Sequence, residues 1–102
     1  MNIEFLNACA EDNGDNENNE DNVRKVRRMI SEGMDVNSLG KVGFTGLMVA
    51  MAMNNTEVSR ILLGCNNIKI DIKEIKDGWT ALHIACDNNS IECVKLLLDN
   101  YT

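Results

Sequence analysis

The chain has 102 residues, 44% apolar and 25% charged, with a formal net charge of −6. That length has room for one domain, and no apolar run approaches the ~18 residues a membrane-spanning helix needs. The acidic balance argues against nucleic acid or an anionic membrane surface as a partner, because both repel a negative chain.

The N-terminus, Met1-Asn2-Ile3-Glu4-Phe5, has no basic flank before an apolar stretch, so no secretory signal is expected there. The four cysteines (Cys9, Cys65, Cys86, Cys93) form no CxxC pair. Three of them fall on apolar-periodic segments, the pattern of buried reduced thiols. Together these features predict an intracellular protein, cytoplasmic or nuclear.

In chain order, the first unit (1–38) opens with Phe5-Leu6-Asn7-Ala8-Cys9, a short helical pattern. A stretch without apolar residues follows, Asp12-Asn13-Gly14-Asp15-Asn16-Glu17-Asn18-Asn19-Glu20. With nothing to bury, this insertion at 12–20 is expected to be a solvated, mobile loop. The second helix, Val23-Arg24-Lys25-Val26-Arg27-Arg28-Met29-Ile30, carries a basic run beside the acidic insertion, and local screening is the default for it. Gly33 follows as a candidate left-handed helix stop.

The second unit (39–73) contains Gly43-Phe44-Thr45-Gly46-Leu47-Met48-Val49-Ala50-Met51, and then Thr56-Glu57-Val58-Ser59-Arg60-Ile61-Leu62-Leu63. The third (74–102) repeats both segments: Gly78-Trp79-Thr80-Ala81-Leu82-His83-Ile84-Ala85-Cys86, and then Ile91-Glu92-Cys93-Val94-Lys95-Leu96-Leu97-Leu98. The period from Thr45 to Thr80 is 35 residues, and a period of that length marks a stacked repeat. Thr45 and Thr80 stand where helix N-caps belong. Asn54-Asn55 and Asn88-Asn89 separate the paired helices, because asparagine tolerates the left-handed region. Ser90 is a candidate cap for the last helix and Gly64 a candidate left-handed stop.

These segments resemble the ankyrin-repeat family. Asp77-Gly78-Trp79-Thr80-Ala81-Leu82-His83-Ile84-Ala85-Cys86 is similar to the family's D-G-x-T-P-L-H-x-A-A signature, with Ala81 at the Pro position and Cys86 at the second Ala. In the second unit Gly46 stands at the Pro position and Met48 at the His position, so a Thr–His side-chain bond is implied only for Thr80 and His83. The resemblance implies an all-α solenoid of stacked helix-turn-helix units with projecting finger turns. Ala8, Ala50 and Ala85 then allow close approach of neighbouring first helices. Leu47, Leu82, Leu62, Leu63, Leu97 and Leu98 fill the core. The last helix is as apolar as an internal one, which leaves an open outer face.

No catalytic motif is present. His83 is read as a structural partner of Thr80, and a zinc site lacks convergent paired ligands. An EF-hand register from Asp12 or Asp15 fails, because the twelfth position is Val23 or Val26. Three N-x-[ST] triplets, starting at Asn54, Asn88 and Asn100, are read as accidental. The expected function is therefore non-catalytic protein binding, as in a scaffold or adaptor, with no cofactor and no metal. By family register the partner-facing residues are Leu39, Lys41, Val42, Phe44, Ala52 and Met53, then Glu74, Lys76, Asp77, Trp79, Asp87 and Asn88. Phe44 and Trp79 lead, because aromatic side chains dominate interface energy. The alternatives are a regulatory segment of a larger enzyme or channel, and self-association through the last repeat.

Overall fold

The computed structural model describes residues 3–10, 16–40 and 43–100. Six α-helices follow one another: α1 (Ile3–Ala10), α2 (Asn16–Ser31), α3 (Gly46–Ala52), α4 (Thr56–Leu63), α5 (Ala81–Asp87) and α6 (Ile91–Asn100). No strand occurs among the described residues. Each consecutive pair packs on itself, α1 on α2, α3 on α4 and α5 on α6. Across pairs, α1 packs on α3 and α3 on α5, while α2 packs on α4 and α4 on α6. This sequential order is the helical repeat solenoid that the sequence predicts.

Local chemistry sets the helix starts. Thr45 caps α3, its Oγ1 accepting the Met48 N–H at 3.2 Å. The Thr45 N–H is in turn directed at the Met48 sulfur, 3.5 Å away. At α5 the same reciprocal arrangement uses imidazole. His83 Nδ1 accepts the Thr80 N–H at 3.1 Å and lies 2.9 Å from Thr80 Oγ1. The Thr–His bond therefore forms in the third unit, and a thioether stands in for it in the second. Asn54 and Asn89 adopt left-handed backbone, φ 52° and 57°. Asn55 caps α4 by accepting the Val58 N–H.

The core runs through the stack as one cluster. Ala8, Ala50 and Ala85 are buried between successive first helices, and Leu47, Leu62 and Leu97 are fully buried with Phe5, Met48, Met51, Val26 and Val58. Leu63 and Leu82 are half-buried. Polar atoms also tie the layers together. Asn55 Nδ2 donates to the Cys9 carbonyl at 3.1 Å inside the core. Ser59 Oγ meets Cys93 Sγ at 3.4 Å. At the surface, the Asn37 amide donates to the Asn67 carbonyl and accepts the Lys69 N–H, both at 2.8 Å.

Five expectations need correction. The insertion at 12–20 is not all loop, because α2 already begins at Asn16; residues 11–15 lie outside the described residues. Gly64 is right-handed (φ −79°, ψ −8°). The chain leaves α4 through successive tight turns, Cys65 N to Leu62 O and Ile68 N to Cys65 O, whereas Gly33 does adopt φ 91°. The Ser90 hydroxyl is buried without a partner, so it caps nothing. Leu98 is 49% exposed rather than in the core, because no described element stacks on the outer side of α6. Cys86 is exposed for the same reason, while Cys9 and Cys93 are buried.

Candidate docking groove

Two finger turns project ahead of α3 and α5. In the first, the Gly40 N–H donates to the Phe44 carbonyl at 2.9 Å. In the second, the Glu74 N–H donates to the Trp79 carbonyl at 2.7 Å, closing a loop one residue longer. Gly43 and Gly78 hold φ 81° and 71°, a conformation in which a side chain is strained.

Glu74 fastens the second finger from inside. Its Oε1 accepts the Asp77 and Trp79 N–H groups at 2.6 and 3.2 Å, and its Oε2 accepts the Lys76 N–H at 2.8 Å. The Gly78 N–H donates to the Glu74 carbonyl at 3.1 Å. Burial pushes the carboxyl pKa up, but the N–H groups of Trp79, Asp77, Lys76 and Gly78 together outweigh it and hold the group below the ordinary carboxylate value. Four backbone donors thus share one residue, which fixes the loop that carries Trp79.

A groove of about 560 Å³ opens between the two fingers and the first helices. It is lined by Phe44 from the first finger, Ala52 at the end of α3, Glu74, Lys76, Asp77 and Trp79 from the second finger, and Ile84, Asp87 and Asn88 from α5. The groove therefore gathers eight of the residues that the family register picks out. Leu39 and Met53 are exposed but do not line it, and Lys41 and Val42 lie outside the described residues. Within the groove, Glu74 is buried and committed to its own turn. Trp79 is 36% exposed, and its indole stacks on the His83 ring at 6.2 Å between centroids with 27° between planes. Asn88 Nδ2 donates to the Ile84 carbonyl at the end of α5.

Two residues at or beside the groove stand outside the family register. Ile84 lies inside the groove but reads as ordinary core by its periodicity. Ile75, at the finger tip, is 76% exposed. It lies over Gly43 of the neighbouring finger, where an added methyl would come within 3.0 Å of its Cγ1. The signal for it was an aliphatic residue in an otherwise charged turn.

A second, smaller groove of about 380 Å³ lies on the outer face of the last pair, among Ala85, Cys86, Asn89, Ser90, Ile91, Val94 and Lys95. Among the described residues, no cluster of histidine, cysteine and carboxylate side chains is arranged to hold a metal ion. No described helix is long and apolar enough to cross a membrane.

Comparison with known proteins agrees with the fold. A family model for ankyrin repeats matches three copies across residues 6–102. The chain is 36% identical over 78 residues to the probable E3 ubiquitin-protein ligase XBOS33 of Oryza sativa subsp. japonica, covering 74% of this chain and 14% of that protein. It is 28% identical over 86 residues to the tyrosine-protein kinase HTK16 of Hydra vulgaris, covering 84% of this chain and 10% of that one. The chain thus spans about a seventh or less of these relatives' length. Among solved structures, it superposes with a TM-score of 0.78 on a chain from the complex of the Bd0816 predatory endopeptidase of Bdellovibrio bacteriovorus with immunity protein Bd3460. That match is at 22% identity and covers 94% of this chain and 45% of the other. Three stacked helix pairs, finger turns closed ahead of each threonine cap, and a family match over nearly all its length lead to one conclusion: the chain belongs to the ankyrin-repeat family.

Proposed function

We propose that the protein is a non-catalytic docking module, and that it grips a protein partner through the groove between its second finger and α5. The observation that carries this reading is the position of Trp79. A large aromatic ring stands partly in solvent on a turn that Glu74 fastens from within. A rigid, preset aromatic anchor loses little entropy on binding, which is how interface hot spots gain their energy. Phe44 supplies a second ring from the neighbouring finger. The repeat fold is in general an interaction module, and its concave face suits an extended partner surface.

The test is affinity capture from a lysate of the source cells. The wild-type array is compared with the Phe44→Ala/Trp79→Ala double variant, and circular dichroism checks that both are folded. Proteins held by the wild type and released by the folded double variant support the reading. An identical set held by both sinks it.

A specific feature favours a second reading, self-association through the last repeat. Ile91 is 54% exposed and Leu98 is 49% exposed, and Ile91 borders the smaller groove on the same outer face. Sedimentation at rising concentration checks it. A monomer–dimer shift abolished by Ile91→Glu supports this reading, and a monomer at every concentration removes it.

A further inference from the structure

We infer that the finger groove is built for an arginine side chain presented by an extended segment of the partner; this rests on the groove being the docking face. Four ionisable side chains line it: Glu74, Lys76, Asp77 and Asp87. Glu74 is occupied by its own turn. That leaves two carboxylates, Asp77 and Asp87, against the single ammonium of Lys76. Neither aspartate makes an ion pair among the described residues.

Asp87 is the more telling of the two. It is the last residue of α5, and that turn holds no basic residue. A carboxylate there faces the negative end of the helix dipole, so its position is locally unfavourable. The second repeat has Ala52 at the same register, so the fold does not need a charge at this point. An incoming cation would relieve the repulsion.

The aromatic wall narrows the choice of cation. A planar guanidinium stacks over an aromatic face and forks its N–H groups toward carboxylates. Trp79 and Phe44 offer rings beside Asp77 and Asp87 in one groove. The volume, about 560 Å³, falls within the ~300–1,000 Å³ range of sites that enclose a ligand-sized group. The net charge of −6 draws a basic segment toward the chain at long range.

Trp79 is the only tryptophan in the sequence, so its emission reports on the groove directly. The probes are three blocked pentapeptides, Gly-Ala-Arg-Ala-Gly and its counterparts with lysine or glutamate at the centre. They are titrated into the array at low salt. The arginine probe is expected to shift Trp79 emission saturably, to bind more tightly than the lysine probe, and to weaken as salt is raised. The Asp77→Asn/Asp87→Asn variant should keep its helical signal and bind the arginine probe about tenfold more weakly, which corresponds to ~1.4 kcal/mol. The proposal is overturned by an equal response to the glutamate or lysine probe, by no saturable response to arginine, or by unchanged binding in the double variant. A captured protein that needs Phe44 and Trp79 but binds the Asp77→Asn/Asp87→Asn array unchanged would leave the docking reading standing and remove the arginine.

Discussion

Gly46 faces Phe5 across the first interface of the stack, so closely that a methyl group on Gly46 would fall 2.5 Å from the Phe5 ring and 3.1 Å from Cys9 Sγ. One repeat later the same register holds Ala81, and the residue in Phe5's register is Leu47. A large ring is thus matched with glycine at the first interface, and the same two registers one repeat later carry a smaller leucine and an alanine. Gly46→Ala should therefore destabilise the array. The gain in helix propensity is about 1 kcal/mol, but overpacking a filled core costs about 1–3 kcal/mol. In the Phe5→Leu background the same Gly46→Ala substitution should become neutral or stabilising. A double-mutant cycle by urea unfolding measures the coupling; strictly additive effects would refute the pairing.

Asn55 and Ser90 hold the same register in consecutive repeats but do different things. Asn55 donates across the interface to the Cys9 carbonyl, whereas the Ser90 hydroxyl is buried with no partner. Met51 holds in α3 the register that Cys9 holds in α1, so Ser90→Asn would place an amide donor where the Met51 carbonyl can accept it. The substitution should raise stability by about 1 kcal/mol, the net value of a satisfied buried hydrogen bond. Conversely, Asn55→Ala should cost about 1–3 kcal/mol, because it removes both the buried bond to the Cys9 carbonyl and the cap on the Val58 N–H. Thermal unfolding of both variants decides the point, and a lower Tm for Ser90→Asn would count against the equivalence.

The second finger should loosen in acid. The Glu74 carboxyl sits below its ordinary value of 4.5 in the folded chain, so the unfolded chain takes up the proton first as pH falls. Its stabilising contribution is complete above that ordinary value and is lost as pH falls through the lowered one. Glu74→Gln should lower the Tm at neutral pH and remove this part of the acid-side loss. Trp79 emission should report the loosening before the helical signal changes. If the wild type and Glu74→Gln show the same slope of Tm against pH below 4.5, the carboxylate does not fasten the turn.

The thiols should react in the order of their surroundings. Burial pushes the Cys9 thiol up to about 12, so it is neither accessible nor ionised at neutral pH. Cys65 is also raised by burial, while Cys86 is exposed on the outer face of α5. Limited labelling with iodoacetamide, followed by peptide mass mapping, should modify Cys86 first and Cys9 only on unfolding. Early labelling of Cys9 would mean that the first repeat opens readily.

Helix pairing, threonine caps and left-handed asparagines were legible because each depends on residues within one turn of each other. Features decided across an interface or by converging backbone were not. Met48 stands where the family pattern has histidine, yet its sulfur takes the same place at the cap, a substitution visible only once the side chain is placed. Glu74 was chosen as a surface contact by register, but a finger one residue longer than its neighbour turns three N–H groups onto its carboxylate. Ser90 reads as a cap by residue type, yet its hydroxyl is buried without a partner, which depends on where the side chain is placed and not on what it is. The stretch from Asn16 reads as loop for lack of apolar residues, yet α2 begins there.

If the second finger and α5 form the docking face, amide hydrogen exchange on the array with its captured partner bound will register it along the backbone. Added protection should appear at residues 74–79 and 84–88, with residues 91–98 unchanged from the free chain. Protection confined to 91–98, with the finger still exchanging freely, would place the docking face on the last repeat instead.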